Sequence, residues 1–319
     1  MPSIITHHMF GLDMLEHISR SLGDTKEESD AFLLGNQGPD ILFFSPVNPK
    51  HVRSYDLGSR LHRSNPADVI WAFEEAASSL SPEARPIADA YIMGLFCHYM
   101  VDSTLHPFIY AQQNEICDAG IEGLTQADGH EVHAEIESDL DVMVLTAMTG
   151  RTISDFHPSR NLLRGNDFTL AVISAMYQQV AWSLFGEKVS KDIFVSGTKA
   201  YRALARSLFS PRGIKRTILG GLERIFRNHS IVQAMSQRNR LQDESDFDNR
   251  DRREWIYPGT GEVRNDSFWD LYTEAFDRTL SMIARVPSMG RSELDSTLGS
   301  LDFNGQPTAP FIIEVETID

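Results

Sequence analysis

The sequence predicts an all-α fold, an irregular multi-helix bundle, and three observations point to it. Apolar residues recur at three- and four-residue spacing along most of the chain, the period-two alternation of strands is scarce, and the links between periodic stretches are short. At 319 residues with 41% apolar content the chain can bury a large core. One all-helical domain over 1–319 is therefore expected.

The elements follow in order. His8 to Leu22 reads as an amphipathic helix with Met9, Leu12, Leu15, Ile18 and Leu22 along one face. Lys26 to Leu34 forms a second, ended by the Gly-Asn-Gln-Gly-Pro-Asp loop at 35–40, and Asn48 to Tyr55 reads as a surface loop. Helices are expected at 66–80, opened by the start signal Asn65-Pro66, and then at 82–106, 130–149, 167–185 and 189–208. Pro107 is expected to end the long central helix at His106, because the residue before a proline avoids helical backbone. Gly213 to Asn228 and Ser230 to Gln242 read as helices, the charged stretch Asp243 to Asp266 as a loop or excursion, and Ser267 to Val286 as a last strong helix. From Ser288 onward periodicity is lost, apart from the short extended candidate Pro310 to Val315.

Composition narrows the function classes. The formal net charge of -16 argues against a broad basic surface that grips nucleic acid or an anionic bilayer, so no nucleic acid is expected as a stable partner. Cys97 and Cys117 cannot build a disulfide framework and form no CxxC pair, and Cys97, inside the apolar run Tyr91 to Met100, reads as a core residue. The first residues carry no basic segment followed by an apolar stretch, and no uninterrupted apolar run approaches the roughly 20 residues needed to cross a bilayer. A cytoplasmic protein with no transmembrane segment is the expectation.

Histidine placement is the informative feature. Several of the 11 histidines stand beside carboxylates at helix-turn spacing. In His98-Tyr-Met-Val-Asp102-Ser-Thr-Leu-His106, residues four apart share a helix face, so His98 and Asp102 can bind one cation and His106 can reach a neighbouring one. Asp102, with two oxygens, can bridge them. His133-Ala-Glu-Ile-Glu137 repeats the pattern on a second helix, with Asp141 one turn further, and imidazole with carboxylate suits zinc. A single His–acid pair at this spacing also fits a solvated ion pair. The apolar surroundings of Ala88 to His106 place His98 and Asp102 inside, where an unpaired Asp is strongly unfavourable. Carboxylates and imidazoles arriving from two helices then need a common partner, and a dication satisfies both.

These segments resemble the zinc-dependent phospholipase C family, which is related in fold to the zinc-dependent single-strand nucleases. The resemblance rests on the opening MPSIITHHMFG, Gly-Pro-Asp40-Ile-Leu-Phe-Phe, Leu61-His62, Phe96-Cys-His98 with Asp102-Ser-Thr-Leu-His106, and His133 with Glu137, in the family's order and approximate spacing. The later Trp255-Ile-Tyr-Pro-Gly-Thr-Gly-Glu and Ser267-Phe-Trp-Asp-Leu-Tyr are also similar. The resemblance implies a helical bundle around a polynuclear zinc site, with the ligands in 1–150 and a helical C-terminal part in 151–319 whose stretch 243–266 could act as a lid. It implies Asp40, His62, His98 and Asp102 on a first zinc, His106, His133 and Glu137 on a second, and His7 with the shared Asp102 on a third. Secreted members complete the third site with a processed N-terminal tryptophan. No such residue stands here, so two zinc ions are implied, with a third if the Met1 amine takes that place.

The implied reaction is hydrolysis of a phosphodiester or phospholipid by zinc-bound hydroxide, with Asp40 assisting deprotonation of the water. A nuclease or nucleotide phosphoesterase is the alternative among enzymes, and a metal-binding scaffold the alternative outside them. A structural zinc is closed by four protein ligands, whereas eight candidates shared among three ions leave vacancies for water. Among the remaining histidines, His8 is expected to point away from the site and His130 to sit at a helix start. His17 pairs with Asp13 in solvent, and His51, His157 and His229 occupy loops or helix ends. Asp141 either orients a ligand or stands as an exposed acid.

Overall fold

Helices form where capping side chains and buried stripes coincide. The computed structural model describes residues 4–44, 52–120, 124–208 and 245–308. α1 spans Ile4–Leu22 and α2 Lys26–Gly35; a 3-10 segment, Gly38–Phe44, leads to α3 at Val52–His62, α4 at Pro66–Ser78 and α5 at Arg85–Asp118. After a 3-10 turn at Gln126–Asp128 come α6 (Gly129–Thr149), the short α7 (Ile153–Phe156) and α8 (Pro158–Asn161), α9 (Asp167–Phe185) and α10 (Ile193–Leu208). A two-stranded antiparallel sheet pairs β1 (Trp255–Ile256) with β2 (Val263–Arg264), and α11 (Phe268–Met282), a 3-10 segment (Ile283–Ser288) and α12 (Arg291–Leu298) follow. Thr25 with Glu28 and Ser267 with Asp270 form capping boxes that satisfy the first free N–H groups of α2 and α11. Asn65, followed by Pro66, caps α4. Gly150 and Gly186, both left-handed, stop α6 and α9.

The fold is organised around α5. Every residue from Ala90 to Ser103 is buried, so this helix is covered on all sides, by α1, α2, α4, α6, α9 and α11. Its closest neighbour is α2, and the crossing is backbone to backbone. A Cβ on Gly94 would lie 2.1 Å from the Phe32 carbonyl oxygen, so only glycine permits this approach.

Several elements depart from the sequence expectation. α5 does not end at His106 but runs through Pro107 to Asp118. A proline inside a helix costs about 3 kcal/mol, and burial of Pro107, Phe108 and Ile109 offsets it. Val52 to Tyr55, expected in a loop, belongs to α3, while 45–51 lie outside the described residues. The tail beyond Ser288 contains α12, which buries only Leu294 and Leu298, too few to show a period. The last strong helix ends at Met282 and tightens into a 3-10 turn. In α1, Leu12 is exposed, and Phe10 and Met14 are fully buried in its place, because α1 packs against α6, α2, α5 and α11 and so buries a wider face than one stripe. The expected helices 213–228 and 230–242 and the extended candidate 310–315 lie outside the described residues.

Among the described residues one helix, α9, is long and apolar enough to cross a membrane by composition. Its Ile173, Met176, Tyr177 and Val180 are fully buried, and it packs against α4 and α10. The stretch 245–266 is fastened to α5: Trp255 packs on Phe108, and Gln112 donates to the Phe247 carbonyl.

Two predictions follow from the packing. Gly94→Ala forces α2 and α5 apart and is expected to cost about 3 kcal/mol, read as a lower midpoint in urea unfolding at unchanged slope. Glu74, on α4, keeps Oε1 without a hydrogen bond, and burial pushes its carboxyl up to about 7, against the pull of Arg85. Native Glu74 therefore holds a proton that the unfolded chain releases, and stability falls as pH rises from the ordinary carboxylate range to about 7. Glu74→Gln is expected to raise stability by about 2 kcal/mol at pH 8 relative to the parent and by much less at pH 5, measured by thermal melts at both values.

Candidate metal centre

Five elements deliver eight side chains to one place. α1 supplies His7, the Gly38–Phe44 segment Asp40, α3 its last residue His62, α5 His98, Asp102 and His106, and α6 His133 and Glu137. The three residues on α5 stand one turn apart along one face of the helix. Gly38, at φ +50, passes so close to His98 that a Cβ would lie 2.4 Å from its ring, which brings Asp40 to the cluster.

Asp102 is the centre. Its Oδ1 lies 3.0 Å from His7 Nε2, and its Oδ2 lies 3.2 Å from His98 Nε2, 3.8 Å from His62 Nε2 and 3.9 Å from His106 Nδ1. Asp40 Oδ1 is 2.9 Å from His62 Nε2. Glu137 Oε1 is 3.4 Å from His133 Nε2 and 3.7 Å from His106 Nε2. Ligand atoms within 4.8 Å of one another fall into three groups: His62, His98 and Asp102; His106, His133 and Glu137; and His7, Asp40 and His98. The first holds three of the four residues of the first set implied by resemblance, lacking Asp40, and the second is the whole of the second set. His7 lies within reach of Asp102, as implied, and also beside Asp40 and His98.

Four of the five histidines are locked by their other nitrogen. Nδ1 of His62 donates to the Gly58 carbonyl (2.8 Å), that of His98 to the Asn36 carbonyl (3.2 Å) and that of His106 to the Phe303 carbonyl (2.9 Å). His133 Nδ1 donates to Gln113 Oε1 (3.0 Å). A carbonyl only accepts, so a proton stands on each Nδ1, and Nε2 is the nitrogen turned toward the carboxylates and left for a metal. The sequence reading missed these partners. Three are backbone oxygens, which leave no side-chain signal. Gln113 was visible, lying seven residues beyond His106 on the same face of α5.

The electrostatics are set by burial and by the three carboxylates. His98 Nε2 and Asp102 Oδ2 are buried, face each other, and make no hydrogen bond, and His7 Nδ1 is likewise unpartnered. Burial pulls His98 down to about 4 against the attraction of Asp102. His106 goes the other way, up to about 9, because Asp102 and Glu137 outweigh burial. Burial would raise the Asp102 carboxyl, and His98, His106 and His7 hold it below its ordinary value instead. Two ligand atoms bound at about 2.1 Å to one tetrahedral ion stand about 3.4 Å apart. The His98–Asp102 and His133–Glu137 separations match that span, so the residues fit zinc.

Asp141 is buried, stands outside the three groups, and reaches from α6 to the start of α1. Its oxygens accept from Ile5 N (3.1 Å), Thr6 N (2.7 Å) and Thr6 Oγ1 (2.8 Å), which satisfies the first turn of α1 and holds His7 in place. Burial pushes its carboxyl up to about 6 despite those bonds. His8 points away, against Phe156, and burial lowers it to about 4. His17 bonds the Asp13 carbonyl in solvent, and His157 stands between α7 and α8. His51 and His229, like Met1, lie outside the described residues.

A cavity of about 990 Å³ opens over the cluster. Asp40, His62, His106 and His133 form its floor, with Tyr55, Arg63, Tyr110, exposed His130, Pro258 and Asn304 among its walls. Such a cleft admits a substrate to one side of the cluster while the other side is sealed by protein. No curated protein and no solved structure matches the chain. Residues 6–182, which include all eight clustered side chains, match the family described as zinc dependent phospholipase C, and the chain belongs to that family.

Proposed function

We propose that the protein is a zinc-dependent phosphodiester hydrolase of the phospholipase C type, acting on the phosphate ester of a phospholipid. The observation that carries this reading is the buried pair His98 Nε2 and Asp102 Oδ2, 3.2 Å apart with no hydrogen bond, set behind His62 and His106, which line an open cavity. A closed structural site would not need that cavity.

His62, His98 and Asp102, with Asp40, would hold one ion, and His106, His133 and Glu137 a second. When bound, zinc lowers the pKa of its water to about 7, which supplies the nucleophile for attack on phosphorus, and neutralises phosphoryl oxygens. The chain's own residues do the rest. The backbone and Gln113 acceptors keep four imidazoles in one tautomer, so ligand geometry is set before substrate arrives. Asp40 lines the cavity beside His62, and at that open face its carboxylate can take a proton from water. Asp141 keeps His7 beside Asp102 through the first turn of α1.

Asp102→Asn is expected to lose bound metal and hydrolysis together, because it removes the charge shared by four imidazoles. Asp40→Asn is expected to lower kcat about 10²- to 10⁴-fold while retaining most of the metal. Elemental analysis alongside kinetics on a short-chain phosphatidylcholine checks both, and the reverse pattern would exchange the two roles. Dialysis against a chelator is expected to abolish hydrolysis, and zinc to restore it. Zinc retained without hydrolysis of phosphatidylcholine, phosphatidylethanolamine or a chromogenic phosphodiester would show a structural site instead.

A further inference from the structure

The turn Leu301–Pro307 lies far beyond residues 6–182, yet it is built into the cluster. Asp302 braces it: its carboxylate accepts from Asn304 N (2.8 Å) and Gln306 N (2.9 Å), and its own N–H donates to the Gln306 carbonyl (2.7 Å). The braced turn is docked on α3 and α5. Phe303 N donates to the His62 carbonyl (3.0 Å), Tyr99 Oη to the Leu301 carbonyl (3.2 Å), and the Phe303 ring is fully buried, 5.6 Å from His62 and 5.8 Å from His98.

The docking notch is made by Pro107. Proline has no N–H to give the carbonyl of residue 103, and at that point Gly305 comes close. At φ +67, its Cβ would lie 2.5 Å from Pro107 Cγ and 2.9 Å from the Ser103 oxygen. Three of the locked histidines take their acceptors, Gly58, Asn36 and Gln113, from within residues 6–182; His106 takes its own from Phe303.

From this we infer that the turn Asp302–Gln306 is a positioning element of the metal centre. Its Phe303 carbonyl fixes the tautomer and ring angle of His106, and with them the site shared with His133 and Glu137. The inference rests on the zinc reading above. Outer partners of this kind contribute about 10- to 100-fold in metal affinity. The loss on disturbing the turn therefore falls most heavily on the ion that His106 shares with His133 and Glu137, the one whose ligand takes its acceptor from the turn.

The test uses the full chain, zinc and cobalt alone, and three variants. Asp302→Ala removes the brace, Gly305→Ala pushes the turn off Pro107, and Asp302→Asn keeps one accepting oxygen as a rescue. Chelator competition measures the affinity of each site, and proton spectra of the cobalt form count the exchangeable ring N–H signals of bound histidines. Melting of the metal-free chain reports folding. The expected result is a weakening of about 10- to 100-fold at one site in Asp302→Ala and Gly305→Ala, with faster exchange of one ring N–H, metal-free melting within a few degrees of the parent, and recovery in Asp302→Asn. Unchanged affinity at every site, or an equal loss at all of them, overturns the inference while leaving the zinc reading intact. A parent chain that binds neither metal overturns the zinc reading itself.

Discussion

The structure depends on three carboxylates and five imidazoles held together away from water. Burying any of them alone would be strongly unfavourable, and His98 Nε2 and Asp102 Oδ2 stand buried and face to face with no hydrogen bond. A dication removes that opposition at one stroke. Its binding energy is then also folding energy, since the unfolded chain has no such site. The cluster brings together side chains from α1, α3, α5 and α6, and on the proposed reading the ion that serves the reaction also fastens those helices.

That fastener works only because the scaffold leaves little freedom. α5 is buried on all sides from Ala90 to Ser103, and its contact with α2 is so close that Gly94 cannot carry a side chain. The crossing places the Asn36 carbonyl against His98. Asp141 pins the start of α1 to α6 and so carries His7 to Asp102. In each case an interaction one step outside the cluster decides where a ligand atom stands, which is how a metal site acquires its geometry before the metal arrives.

Pro107 connects these levels. In sequence terms it is a helix breaker. In the folded chain it sits mid-helix, where burial offsets its cost, and the gap it leaves in the helical hydrogen bonding coincides with the place where the C-terminal turn approaches. The C-terminal part, which carries no ligand among the described residues, thereby reaches the centre of the chemistry through a backbone carbonyl and lines the cavity with Asn304 and Gln306.

What the sequence determined by itself was the set of elements with strong periodicity and capping signals, and the residue types able to bind zinc. The 167–185 helix, the capped start at Asn65-Pro66 and the His98–Asp102–His106 and His133–Glu137 tracks are legible because helix geometry is local: residues four apart must share a face. The tertiary structure alone decided which tracks meet, that α5 survives its proline, that a short α12 with two buried leucines forms, and which acceptors orient the imidazoles. Those outcomes turn on packing between distant segments and on backbone oxygens that every residue possesses, so nothing in the order of side chains announces them.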